Sequence, residues 1–190
     1  MYKERYNMEP FKRIFIHCSD SDFGTALLIN EWHIKRGWKC IGYNEVVNNG
    51  YPSFDYFNNN IKIPYAEGAV EFGRVADSDQ WFESFEEGAG VYGWNKGSYH
   101  ICMIGKFNFS DDVLNKTLEI VRYRMKQFNL TYNDVFGHYE KDDKKTCPNI
   151  DMNIFRSMLK DNKNYGDFIK KKTGFIDIIK MILNGMILNF

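Results

Sequence analysis

Short apolar runs alternate with segments of helical periodicity along most of this chain. Runs rich in β-branched and aromatic residues predict strands at 13–17, 41–47 and 99–104. Apolar positions at helical spacing, each preceded by a Thr or Ser that can cap the first turn, predict helices at 25–36 and 111–128. Strands that alternate with helices indicate an α/β fold, in which helices pack on a central mixed β-sheet.

The remaining stretches carry weaker patterns. Residues 69–74 predict a further strand, 77–87 a short helix around two aromatic residues, and 151–159 another helix. Residues 51–65 are rich in Tyr, Phe and Asn and contain two prolines, so they fit an insertion or a long loop better than a core element. The aromatic side chains of this insertion could line a groove or merely cover the sheet.

The C-terminal tail, residues 165–190, follows a main domain that we place at 10–160. Helical spacing in the tail predicts an amphipathic helix whose apolar face holds Phe175, Ile178, Ile179, Ile182, Leu183 and Met186. Its 16 last residues include Asp177 and Lys180, and a membrane-spanning helix needs about 20 apolar residues, so a span is disfavoured. The helix could pack on the domain or on a second copy, or it could lie on a membrane surface with 170–172 near anionic head groups.

Composition excludes some partners. The 190 residues are 44% hydrophobic, which is enough for one well-buried core. Lys plus Arg and Asp plus Glu each number 25, so no global basic field favours nucleic acid, and we expect no nucleic-acid partner.

The N-terminus and the cysteines bear on the compartment. The first ten residues carry charges where a signal peptide needs an apolar stretch, so we expect no signal peptide and a location in the cytoplasm of the producing cell. The four cysteines have no paired spacing, which favours free thiols.

A candidate metal site rests on three residues. His17 ends a predicted strand, His138 follows Phe136 and Gly137, and Cys147 comes nine residues later. Two imidazoles and one thiolate leave the fourth tetrahedral position of a zinc ion (Zn²⁺) open for water, as in catalytic zinc sites. Such water has a pKa of about 7 and can attack a carbonyl that the metal polarises. Because lone histidines are more often core or surface residues, spacing alone leaves zinc as one hypothesis among others.

Eight short motifs in order change this picture. They are IFIHCS (14–19), WHIKRGW (32–38), IGY (41–43), GR (73–74), GA (88–89), GWN (93–95), GH (137–138) and KTCP (145–148). Together they resemble the type 2 N-acetylmuramoyl-L-alanine amidases and peptidoglycan recognition proteins, and most closely the amidase-type lysozymes of T-odd coliphages. The match runs from about residue 13 to residue 147.

The resemblance implies the fold of that family, with a zinc site in a groove that binds bacterial peptidoglycan. It implies His17, His138 and Cys147 as zinc ligands and Tyr43 and Lys145 as catalytic residues, and it implies cleavage of the amide bond between N-acetylmuramic acid and L-alanine. By analogy with a phage or prophage endolysin, the enzyme would reach the cell wall after a holin breaches the membrane. From the residues alone, Tyr43 could be an ordinary strand aromatic and Lys145 part of a solvated loop.

Other residues near these motifs have less specific interpretations. We expect a structural role for His33, and we expect Cys18 to point away from His17, because neighbouring strand residues face opposite sides. Glu140 could act as a base, although zinc-activated water is the stronger candidate.

The chain departs from the family pattern at three positions. Asn44 and Gly90 stand where the family commonly has His, and His100 stands where it usually has Gly. We expect these positions around the groove, where they would affect substrate preference or rate more than the metal. Two alternative functions stay open: a peptidoglycan-binding module without catalysis, and a regulatory protein that binds a polymerase.

Overall fold

The computed structural model describes residues 9–74, 77 and 79–166. In chain order the strands are β1 (Glu9–Pro10), β2 (Arg13–Cys18), β3 (Glu45–Asn49), β4 (Glu67–Phe72), β5 (Trp81–Phe82), β6 (Ser98–Met103) and β7 (Val135–Gly137). The helices are α1 (Ala26–Lys35), α2 (Phe54–Asn58), α3 (Asp111–Phe128) and α4 (Met152–Asp161), with short 3-10 helices at Pro64–Ala66, Tyr132–Asp134 and His138–Glu140. The amphipathic helix predicted within 175–190 lies outside the described residues.

A five-stranded sheet organises the molecule. Its strand order is β4-β3-β6-β2-β7, and β1 and β5 form a separate antiparallel pair. Strands β3, β6, β2 and β7 run parallel to one another, whereas β4 lies antiparallel to β3 at the edge. The predicted α/β fold with a central mixed sheet is therefore confirmed.

The two faces of the sheet pack on different helices. Alternate strand residues point to opposite faces, and Ile14 and Ile16 of β2 enter the larger core, which holds the apolar residues of α3 and α4. On the other face, Val46 and Cys102 pack against α1 through Ile29. Phe15 and His17 of β2 alternate with Ile14 and Ile16, which assigns His17 to the α1 face of the sheet.

The two main helices begin where the sequence predicts. The hydroxyl of Thr25 accepts a hydrogen bond from the backbone N–H of Leu28, and Ser110 caps α3 in the same way through Val113. Among the described residues, no helix is long and apolar enough to cross a membrane.

The helix predicted at 77–87 is wrong. Trp81 and Phe82 instead form β5, which pairs with β1. The ring of Phe82 packs edge-on against Phe11 at 5.5 Å between centroids, and the Asp79 carboxylate accepts a hydrogen bond from the backbone N–H of Trp81. A contact with the distant N-terminal segment thus overrides the local preference for a helix.

Two boundaries also differ from the prediction. The strand expected at 41–47 begins only at Glu45, because the backbone N–H groups of Ile41 and Gly42 bond to side chains of α1 instead of a neighbouring strand. Residues 51–65 hold α2 and a 3-10 helix rather than loop alone, and two phenylalanines of α2 pack on Phe23.

A buried ion pair ties β3 to α3. The guanidinium of Arg124 lies 2.5 Å from the carboxylate of Glu45, and both side chains are more than nine-tenths buried. We expect Arg124→Met to lower the free energy of unfolding by about 3–5 kcal/mol, because it leaves a buried carboxylate without its partner. Chemical denaturation measures this loss, and the double variant Glu45→Leu/Arg124→Met should recover much of it. If Arg124→Met were as stable as the wild type, Arg124 would not be needed to compensate the buried charge of Glu45.

Candidate metal centre

Neighbouring parallel strands bring His17 and His138 together. In the β2–β7 pairing, Ile16 lies opposite Gly137, so the residues that follow them, His17 in β2 and His138 directly after β7, lie at the same end of the sheet. The two imidazole rings are 5.0 Å apart between centroids. His17 is buried, at 1% exposure, whereas His138 is partly exposed.

Cys147 reaches the same point from the loop after β7. Its carbonyl accepts a hydrogen bond from the backbone N–H of Tyr139, which fixes the loop next to His138. The backbone N–H of Cys18 donates to the Cys147 sulfur at 3.2 Å. That hydrogen bond would stabilise negative charge on the sulfur, as a metal-bound thiolate requires.

The three side chains fit a tetrahedral metal ion. One ligand atom from each of His17, His138 and Cys147 lies within 4.8 Å of the others. The Nδ1 atom of His17 is 3.8 Å from the Cys147 sulfur. Ordinary zinc–nitrogen and zinc–sulfur bond lengths place two such tetrahedral ligands about 3.6 Å apart.

The electrostatics of the site also suit a metal. Burial lowers the pKa of His17 well below its usual value, and the neighbouring His100 and His138 lower it further. Burial likewise lowers the pKa of His138, although Asp142 opposes the shift. Both imidazoles are therefore neutral at physiological pH, which is the form that binds metals.

The thiol of Cys147 needs a cation to ionise. A hydrogen bond with the Cys18 side chain and then burial raise the pKa of Cys147, so in the protein alone it stays protonated. A metal ion reverses this preference, because a coordinating thiol loses its proton outright. The donor set thus fits a divalent cation better than a free nucleophilic cysteine.

Tyr43 and Lys145 share a groove with two of the candidate ligands, His138 and Cys147. The groove has a volume of about 760 Å³, and its walls include Tyr43, His138, Lys145 and Cys147. The ring of Tyr43 lies 5.0 Å from that of His17. Burial raises the pKa of the Tyr43 hydroxyl, and nearby thiols add to the shift, so the phenol stays protonated and can donate a hydrogen bond.

Comparison with known proteins assigns the family. A family model described as N-acetylmuramoyl-L-alanine amidase matches residues 7–150, about three quarters of the 190-residue chain. The chain belongs to the N-acetylmuramoyl-L-alanine amidase family. It is accordingly an enzyme of the peptidoglycan amidase class. A separate search of curated proteins found no significant match.

Solved structures share the fold of this amidase. The amidase LysC from Clostridium intestinale URNW is 22% identical, with a TM-score of 0.60 over 82% of this chain and 88% of that one. The Ph2119 endolysin of the Thermus scotoductus MAT2119 bacteriophage is 18% identical, with a TM-score of 0.52 over 83% and 91%. Drosophila PGRP-LB is 18% identical, with a TM-score of 0.51 over 75% and 79%.

Other polar residues near the amidase site have structural partners. The Nδ1 atom of His33 accepts a hydrogen bond from the backbone of Gly42, which agrees with its expected structural role. Glu140 forms a two-point ion pair with Arg156 and accepts from the backbone of Gly137, so it holds the loop rather than facing substrate. None of the residues at 51–65 lines the groove, and the phenylalanines of α2 pack on Phe23 instead.

Two of the three departures from the family pattern are not around the groove. Gly90 lines it, but Asn44 and His100 are completely buried. The side chain of Asn44 accepts a hydrogen bond from the backbone of His100 and donates one to the carbonyl of Glu86, which joins β6 to the segment that precedes Gly90. The expected location around the groove is therefore wrong for Asn44 and His100, and the His100 ring instead contacts the ring of His17.

His100 is the site residue that the sequence did not assign. Burial lowers its pKa to about 3, with smaller effects from His138 and Arg74, so the imidazole is neutral. It lies on β6 opposite Phe15, and the two rings stack at 5.5 Å between centroids. Only the order of the strands reveals that it neighbours His17.

Proposed function

We propose that this amidase holds a zinc ion through His17, His138 and Cys147 and hydrolyses the amide bond between N-acetylmuramic acid and L-alanine. One observation carries the proposal: within a chain of the amidase family, three residues of the right donor types converge, and two of them, His138 and Cys147, line the groove. Two nitrogen ligands and one sulfur ligand leave a position open for chemistry.

At such a site zinc supplies Lewis-acid activation of water and of the substrate carbonyl. The chain's own residues supply the rest of the mechanism. Tyr43 stays protonated, and its hydroxyl can donate a hydrogen bond to the oxygen on which negative charge develops. The exposed ammonium of Lys145, in the same groove, can stabilise that charge from the solvent side.

The bond that is cut can be read from the products. We expect mass spectrometry of digested peptidoglycan to show free lactyl groups on muramic acid and free amino termini on the stem peptides. The glycan strands should keep their original number of reducing ends. New reducing ends with intact muramyl–peptide bonds would identify a glycosidase and overturn the proposal.

We further propose that the enzyme acts as an endolysin of a phage or prophage and is held in the cytoplasm until the membrane opens. Support comes from the fold shared with the Ph2119 endolysin. Bacteria that express the chain should stay intact until chloroform or a holin permeabilises the membrane, and then lyse within minutes. Lysis without permeabilisation would contradict this localisation.

The domain boundary proposed near residue 160 can be tested by truncation. Tyr165 packs against the main core, and its backbone N–H bonds to the side chain of Asn115, so a chain that ends at Gly166 keeps these contacts. We expect this truncated chain to fold and to digest purified peptidoglycan. Loss of binding to anionic vesicles on truncation would support a membrane-surface role for 175–190. Loss of folding would instead make the tail part of the core.

A further inference from the structure

Two buried imidazoles meet behind the metal centre. The Nε2 atom of His17 lies 3.0 Å from the Nδ1 atom of His100, which is hydrogen-bonding distance, and neither ring is exposed. The strands fix this contact, because β2 and β6 are neighbours and His100 pairs with Phe15, two residues before His17. His100 is held in turn by stacking on Phe15 and by the hydrogen bond from its backbone to Asn44.

Metal binding would determine which ring donates. The Nδ1 atom of His17 faces the Cys147 sulfur and is therefore the nitrogen available to the metal. A neutral imidazole that binds metal through Nδ1 carries its proton on Nε2. The N–H of His17 then donates to Nδ1 of His100, and His100 must carry its own proton on Nε2.

Packing alone would not select a histidine here. With this tautomer, the Nε2–H of His100 is a buried donor, and it has no hydrogen-bond partner among the described residues. An unpaired buried donor is unfavourable, so an apolar residue would fill the space at lower cost. What the imidazole offers is an acceptor for the outer nitrogen of His17.

The glycines opposite explain where this acceptor fits. A Cβ atom on Gly90 would lie 2.5 Å from Nδ1 of His100 and 2.8 Å from Nε2 of His17. A Cβ atom on Gly88 would lie 2.3 Å from the His100 ring. A side chain at position 90 and the His100 ring therefore exclude each other. The family that this chain resembles commonly has His at the position of Gly90 and usually has Gly at the position of His100, which is the reverse of the arrangement here.

We infer that His100 is a positioning residue that accepts a hydrogen bond from His17 and orients it toward the metal, in the space that a histidine at position 90 would otherwise occupy. The inference rests on the proposed zinc function. Outer partners of this kind fix the tautomer and the ring orientation of a metal-ligating histidine, and their loss typically weakens metal binding 10- to 100-fold.

Two single variants separate hydrogen bonding from packing. His100→Leu fills much of the space but cannot accept, whereas His100→Asn places an amide oxygen near the position of Nδ1. We expect zinc affinity, measured by chelator competition, to fall about 10- to 100-fold in His100→Leu and only a few-fold in His100→Asn. Thermal unfolding of the metal-free proteins checks that both variants fold. Wild-type affinity in His100→Leu, or an equal loss in a folded His100→Asn, would overturn the inference.

The exchange itself provides a second test. Gly90→His alone should weaken zinc binding and stability, because its side chain meets the His100 ring. His100→Gly alone should weaken zinc binding, and the double variant Gly90→His/His100→Gly should recover only part of the affinity, because its Cβ at position 90 still lies close to Nε2 of His17. A double variant that folds but binds zinc no better than His100→Gly would refute the idea that side chains at positions 90 and 100 occupy the same space.

Zinc binding by the wild-type protein separates this inference from the function on which it rests. If the wild type binds no zinc, the proposed function fails and this inference fails with it. If the wild type binds zinc and His100→Leu binds it equally well, only the role of His100 fails. Nitrogen-15 NMR of the zinc-loaded protein gives an independent readout, since we expect the proton of His17 on Nε2. A proton on Nδ1 of His17 would overturn the inference.

Discussion

Replacing Cys147 with alanine is expected to remove both the bound zinc and the hydrolysis of peptidoglycan, while most of the fold remains. An open site with three protein ligands loses much of its affinity when one is removed, and the thiolate is the only charged ligand of the three. Cys147 lies in the loop after β7 and is not part of the main core, so the sheet should survive. Elemental analysis should find about one zinc per wild-type chain and almost none in the variant.

A matched control is available one residue after His17. We expect Cys18 to act on the site through its backbone N–H, which donates a hydrogen bond to the Cys147 sulfur. This N–H group is retained in Cys18→Ala. We therefore expect Cys18→Ala to keep its zinc and most of its activity. Full lytic activity in a metal-free Cys147→Ala sample would exclude the zinc mechanism. If zinc were lost in Cys18→Ala but kept in Cys147→Ala, the sulfur ligand would be Cys18 and not Cys147.

Elements whose stability is decided locally could be predicted from the sequence. Strand β6 is buried along its whole length because the sheet covers both of its faces, and its mostly apolar sequence is typical of such parallel strands. Helix α3 has both a capping serine and a clear apolar face, so its limits of Asp111 and Phe128 agree with the prediction.

Elements decided by distant contacts could not be predicted in this way. Trp81 and Phe82 are extended because they meet β1 and Phe11, about seventy residues earlier in the chain. The late start of β3 depends on hydrogen bonds that the backbone N–H groups of Ile41 and Gly42 donate to side chains of α1. Neither partner is visible in the local pattern of hydrophobic and polar residues.

The candidate site was predictable to the same extent. The three ligand candidates carry distinctive donor groups in ordered motifs, and the structure brings all three together. The contact between His17 and His100 was not predictable, because it follows from β2 and β6 being neighbours and from the space above Gly90. A histidine in a strand gives no indication of its cross-strand partner until the strand order is known.

Tyr43→Phe and Lys145→Ala are expected to keep zinc and to lower turnover. Neither residue belongs to the group of candidate ligands, and both line the groove beside it. Removing one donor that stabilises the developing oxyanion typically lowers kcat about 10²- to 10³-fold, and the loss should fall on kcat more than on KM. Zinc content and the kinetics of muropeptide release measure the two properties separately.

The groove supplies matched controls for these two variants. Tyr92 and Lys144 line the same groove, and Tyr92 is 98% exposed, so its hydroxyl faces solvent rather than the ligands. We expect Tyr92→Phe and Lys144→Ala to stay within a few-fold of wild-type kcat. Because each control removes the same chemical group from the same surface, a general effect of charge or polarity would slow both members of a pair. If Tyr43→Phe and Lys145→Ala were as fast as their controls, these residues would have no catalytic role even with the zinc site intact.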